Sequence, residues 1–273
     1  MLKRFIIIGI TTISFMIISC GDEESSNGNT NIYNHINIKG RSIKGSDEEY
    51  TAAKAVAYMN AKKVDEAIEC LEKYLEEDPD ALSLESLLVT AYFQKSGIDL
   101  LTIITKFIKQ DYGSVNSIIE GGHYNDIVTI VSKIVEDKEL STTYMLKAET
   151  LLKDLEARST LDQYDRLKKI INNVVLVSLS IINLSDKFSS GFHPEDLEGI
   201  TEDFAEELID RLIVAQDVIG QLPGVENLSE EDIGALQEEI DKFVSEMNNE
   251  ESGETSADRV RKYIEENYNI IIN

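Results

Sequence analysis

The sequence predicts an all-α fold, and three observations carry that prediction. Apolar residues recur at three- and four-residue steps through most of the chain beyond residue 46, the period of a helix with one buried face. Ser46 with Glu49, and Thr160 with Gln163, have the spacing of capping boxes, which open helices. Three Pro and no Trp among 273 residues leave few interruptions for long helices.

The N-terminus sets the address. Lys3 and Arg4 precede an apolar run over residues 5–18, which ends at Ser19, Cys20 and Gly21. A basic start, an apolar stretch and a small residue at the cut make a secretory signal. The run is shorter than the roughly 20 residues that a spanning helix needs, and an uncleaved membrane anchor is the competing reading. The pattern resembles the lipobox of bacterial lipoproteins, with Ile18 bulkier than the residues often found beside the cut. That resemblance implies removal of residues 1–19 and a mature chain that starts at Cys20 and carries diacylglycerol and acyl chains there. Several acyl chains, at about 0.8 kcal/mol per buried methylene, anchor a protein without a spanning helix. The implied location is the cell envelope, on the outer membrane facing the periplasm ahead of the inner membrane.

Composition narrows the partners. Asp and Glu number 51 against 26 Lys and Arg, for a net charge of −25, and loss of Lys3 and Arg4 makes the mature chain still more acidic. Nucleic acid requires clustered Lys and Arg and is excluded as a partner. With Cys20 lipidated, Cys70 stands alone and no intrachain disulfide forms. Its helical spacing among apolar residues predicts a small core residue.

Residues 20–45 are rich in Asn, Ser and Gly and bury too little apolar surface to fold, so they form a disordered tether. Two helices follow, over residues 46–61 and 64–77. The second presents Val64, Ala67, Ile68, Leu71, Tyr74 and Leu75 on one face, and Pro79 stops it. The string over residues 57–79 resembles a tetratricopeptide repeat (TPR). Ala55 holds the small position of its first helix and Tyr58 the aromatic one. Ala67 lets the two helices approach, Leu71 packs the second, and Pro79 ends it. Thr51, Lys62 and Tyr74 depart from the motif, standing for a large aromatic, a turn glycine and a small residue. A second, degenerate repeat starts near Leu82, with Leu88, Ala91 and Tyr92 in its first helix and Gly97 in its turn. Its second helix, over residues 99–110, departs at Leu101 and Thr105. The resemblance implies TPR-like hairpins over residues 46–112 and a right-handed, solenoid-like stack with a concave protein-binding surface.

A helical bundle is expected to continue the stack over residues 113–248. Helices are predicted over residues 123–135, 140–155 and 161–185, and residues 174–184 are apolar all round, which marks a buried axis. Pro194 suits a first helical turn. Phe204, Leu208, Leu212, Ala215, Ile219 and Leu222 mark one further helix face, and Ile233, Leu236, Ile240, Phe243 and Met247 another. A flexible loop and a last helix fill residues 249–273, where Ile270, Ile271 and Ile272 must dock.

Chemistry is sparse. His35, His123 and His193 form no metal-binding pair, and neither a phosphate loop nor a nucleophile elbow is present. A calcium-loop-like string starting at Asn248 places Arg259 where the ion needs an acid. Glu202, Asp203, Glu206, Glu207 and Asp210 line one helix and read as a solvated outer face. The expected function is a membrane-anchored, non-catalytic, TPR-like scaffold for envelope proteins, with no metal and no cofactor beyond the lipid on Cys20. Two alternatives stay open. One is an accessory lipoprotein of a periplasmic TRAP-type solute transporter, which the chain resembles in outline. The other is a small-molecule carrier or enzyme built around a cavity near residues 174–184.

Overall fold

The periodicity becomes ten α-helices in the computed structural model, which describes residues 46–98, 103, 127–185, 191–222, 229–268 and 270. They are α1 (Ser46–Asn60), α2 (Val64–Glu77), α3 (Leu82–Lys95), α4 (Ile127–Ile134), α5 (Lys138–Arg158), α6 (Gln163–Asn183), α7 (Pro194–Glu198), α8 (Glu202–Ile219), α9 (Glu230–Met247) and α10 (Ser256–Asn267). A short 3-10 turn, Glu250–Ser252, precedes α10. Among the described residues there is no strand, only a single parallel bridge between Phe192 and Ile270. The tether, Cys20 and the second helix of the degenerate repeat, apart from Ile103, lie outside the described residues.

The first three helices pack on one another, α1 on α2, α2 on α3 and α1 on α3. The α1–α2 turn is closed by Lys62 at φ 59°, a left-handed conformation, at the position where the repeat motif carries glycine. Gly97 closes the next turn at φ 77°, where a glycine is at ease. Tyr74 does not keep α3 off α2: it stays half-buried against the core while the two helices pack. Cys70 is free and half-buried, not the core residue that its spacing suggested, because the buried stripe of α2 runs through Ala67, Ile68 and Leu71.

From α3 the packing passes to α5, then α6, then α8, and α8 carries both α9 and α10. The axis is α6, where every residue from Ile170 to Leu179 is buried and α3, α4, α5 and α8 all make contact. Each large apolar side chain so buried contributes roughly 1.5–3 kcal/mol. The helix starts two residues later than the Thr160 spacing implied. Asp162 is its cap, accepting from the amides of Tyr164 at 2.8 Å and Asp165 at 2.9 Å.

Polar contacts fix the order of the stack. Ser141 Oγ donates to the Ser96 carbonyl at 2.6 Å, tying the start of α5 to the end of α3. Lys138 Nζ donates to the Ile182 and Ser185 carbonyls at the end of α6, where a cation meets free carbonyls. The Glu202 carboxylate accepts from the amides of Ser256 at 2.8 Å and Ala257 at 2.9 Å, so one acid of α8 closes the N-terminus of α10. These amide bonds hold its carboxyl below the ordinary carboxylate range. Phe192, Tyr268, Tyr263 and Phe243 stack in sequence, with centroids 5.5–6.1 Å apart, and Ile270 packs beside them.

Candidate functional site

The residues singled out for TPR-like packing are spread over α1, α2 and α3. Ala55, Ala67 and Leu71 are fully buried, Leu88 and Tyr92 nearly so, and Tyr58 is half-buried against the core. Pro79 is exposed just past α2, and its carbonyl accepts from Arg158 Nη1 at 2.7 Å. The Tyr92 hydroxyl donates to Glu72 at 2.6 Å, and burial followed by that bond pushes the phenol up. Lys147 lies over both the Tyr92 and Tyr144 rings, 5.4 and 5.0 Å from their centroids. These residues hold helices together and line neither described cleft. Cys20 lies outside the described residues.

A cluster that the sequence did not announce sits between α3 and α6. Ser86 Oγ donates to Asp165 at 2.5 Å, and Lys168 Nζ reaches the Ser86 carbonyl at 2.8 Å, Ser86 Oγ at 2.9 Å and Asp165 at 3.2 Å. Serine beside lysine is a pair capable of nucleophilic chemistry. Here all three side chains are buried and neither described cleft reaches them, so substrate has no approach. The cluster is a polar rivet. Glu85, one residue earlier, pairs with Arg158; burial outweighs that guanidinium and pushes its carboxyl up to about 7.

The principal cleft is open to solvent, about 530 Å³ in volume, and lies among α5, α6 and α8. It is built from three helix faces. From α5 come Glu149, Leu152, Lys153 and Glu156, and from α6 come Lys169, Asn172 and Asn173. From α8 come Asp203, Glu206, Glu207, Asp210, Arg211 and Val214, at the three- and four-residue steps that align side chains along a helix. Four of the five acids expected to form a solvated outer face, Asp203, Glu206, Glu207 and Asp210, therefore form one wall of a groove, while Glu202 caps α10. Its cations are already engaged. Lys169 holds Glu156 at 2.6 Å, Lys153 holds Glu149 at 3.0 Å, and Arg211 bridges Glu149 at 2.5 Å and Glu207 at 2.7 Å. Asp203, Glu206 and Asp210 are exposed and make no ion pair among the described residues.

One wall residue stands apart. Asn172 is 0% exposed, yet neither its Oδ1 nor its Nδ2 has a hydrogen-bond partner among the described residues. Its neighbour Asn173 donates to the Lys169 carbonyl at 2.8 Å. Burying an amide without partners costs about 1–3 kcal/mol, so a buried amide is normally satisfied. The signal in the sequence was two consecutive asparagines inside an apolar run, Ile170 to Val175. A smaller cleft of about 210 Å³, lined by Ser159, Arg166, Val218 and Gln221 among others, shares Glu156 with the first. Among the described residues no group of His, Cys, Asp and Glu is placed to hold a metal ion.

Comparison with family models, curated proteins and solved structures yields no match for this chain.

Proposed function

We propose that this chain is a lipid-anchored, non-catalytic scaffold of a bacterial envelope that holds other proteins on a TPR-like stack of helical hairpins. The observation that supports this reading is the order of packing. Contacts run in chain order from α1 through α2, α3, α5, α6 and α8 to α9 and α10, reaching past a neighbour where α3 meets α5, α4 meets α6, α6 meets α8 and α10 meets α8. Packing that follows the order of the chain is shared with solenoids, which bind proteins along an extended face. The Cys20 lipid would hold that face at the membrane, and no described helix is long and apolar enough to cross it. The serine–lysine pair is sealed, which favours a binding role over a nucleophilic one. Neither described cleft is lined by residues 174–184, which leaves the carrier alternative without its cavity among the described residues.

Fractionation and crosslinking test both halves of the reading. The wild-type chain should sediment with membranes and shift in mobility under globomycin, while Cys20→Ser should lose both behaviours. A photocrosslinker at exposed positions of α5 and α8 should then capture envelope proteins reproducibly. A Cys20→Ser chain that remains membrane-bound, or crosslinks that form only at random positions, would count against it.

A further inference from the structure

We infer that the cleft among α5, α6 and α8 receives an extended basic segment of a partner polypeptide, with Asn172 bonding its main chain. This deepens the scaffold reading and rests on it. Two independent observations meet in the cleft. The first is charge: Asp203, Glu206 and Asp210 present carboxylates along one wall and make no ion pair among the described residues. The second is the unpartnered amide of Asn172, fully buried and part of the cleft lining.

The two demands together select the ligand class. The Asn172 Nδ2 needs an acceptor, and its Oδ1 needs a donor. A polyamine supplies donors only and leaves Nδ2 unmet. An extended peptide residue presents its own N–H and C=O on the same edge, while lysine or arginine side chains answer the acids. From Asp203 to Val214 the wall of α8 runs about 16 Å at 1.5 Å per residue. That length takes about five extended residues at ~3.3 Å each. The amide is covered in the free chain, so the ligand must move the flexible side chains at the rim. Lys169 and Arg211 are held there by acids that a competing cation attracts equally. Exchange of one cation for another opens the cleft without leaving a carboxylate alone.

The test uses the full chain in detergent and a fluorescent ten-residue peptide of alternating lysine and alanine. Saturable binding that weakens with salt is expected, since exposed charges are screened at high ionic strength. Joint replacement of Asp203→Asn, Glu206→Gln and Asp210→Asn, all on the surface, should weaken it tenfold or more. Asn172→Leu should weaken it severalfold, and should have no such effect on the same peptide with methylated backbone amides. Spermine should bind weakly and ignore Asn172→Leu. Spermine as tight as the peptide, or a peptide indifferent to the triple replacement, overturns the inference. If the peptide fails while crosslinks to envelope proteins form elsewhere on the stack, the inference falls and the scaffold reading stands. If the peptide binds in the cleft but no envelope protein is ever crosslinked, the scaffold reading falls.

Discussion

Two seams meet on α6, less than two helical turns apart, and they treat buried polar groups in opposite ways. On the α3 side, Asp165 and Lys168 are closed into a network with Ser86. On the α5–α8 side, Asn172 is equally buried and has no partner among the described residues. The Ser86, Asp165 and Lys168 cluster behaves as a finished interface, since its three side chains satisfy one another and specify one register between two helices, even though Oε1 of the adjacent Glu85 has no hydrogen-bond partner among the described residues. The second seam behaves as an unfinished one. A helix that can satisfy buried polar groups at Asp165 and leaves them unmet at Asn172 marks the place where something else completes the structure.

The comparison breaks first at the rivet. Lys168→Met should destabilise the chain by about 3–5 kcal/mol, because it removes the Lys168 cation from a fully buried carboxylate. Urea unfolding of the full chain in detergent measures this. A loss below about 1 kcal/mol would mean that the α3 seam is no better satisfied than the cleft. Joint replacement with Asp165→Leu should recover much of the loss, as paired removal of buried charges often does.

Glu85, one residue before Ser86 but paired with Arg158 of α5, gives the neighbouring α3–α5 contact a pH signature. Its carboxyl rises from 4.5 to about 7, so between those values the folded chain holds a proton that the unfolded chain has released. The contribution of Glu85 to stability is greatest below the lower value, falls as pH rises through the window, and levels off above about 7. The slope reaches at most about 1.4 kcal/mol per pH unit. Glu85→Gln should flatten it, as denaturation midpoints between pH 4.5 and 8 would show. A slope unchanged in the variant would remove Glu85 from that contact's energetics.

Lys62 supplies a cost that belongs to neither seam, because it is purely local. A side chain at φ 59° is strained by roughly 1–2 kcal/mol, and glycine removes that strain while adding freedom to the unfolded chain. Lys62→Gly should stabilise the protein by about 1 kcal/mol in urea and leave peptide binding untouched. The same substitution sharpens the contrast, since strain without a ligand can be relieved without loss of function.

Much of the scaffold was legible in the sequence, for reasons visible at single elements. The bounds of α2 were readable because Pro79 forbids continuation and the stripe through Ala67, Ile68 and Leu71 is clean. For α9, Ser229 and Asp232 form the reciprocal cap that their spacing suggests. The start of α6 was misplaced because Thr160 and Asp162 are both good caps, and only geometry shows which one reaches the free amides. The cleft was half legible. Asp203, Glu206, Glu207 and Asp210 stood out as a charged face, but their counterparts Glu149, Lys153, Glu156 and Asn172 lie some 30 to 60 residues earlier in the chain. Side chains that far apart are brought together by packing, which periodicity does not encode. Whether an asparagine finds a partner is still further from the sequence, since it depends on every neighbour at once.

The smallest expected effect is the most informative. Asn172→Leu replaces an unsatisfied amide with an apolar side chain of similar size. Relief of the unmet hydrogen bonds favours the variant by about 1–3 kcal/mol, and imperfect packing of leucine at a site shaped for asparagine takes back up to about 1.5. The middle of the first range less the whole of the second leaves a stabilisation of about 0.5 kcal/mol, read from the urea midpoint, together with weaker capture of the basic peptide. Gain of stability with loss of binding is the signature of a residue kept for a ligand and not for the fold. Loss of both would place Asn172 with the rivet, as a polar group the fold itself requires, and the two seams would then differ in degree only.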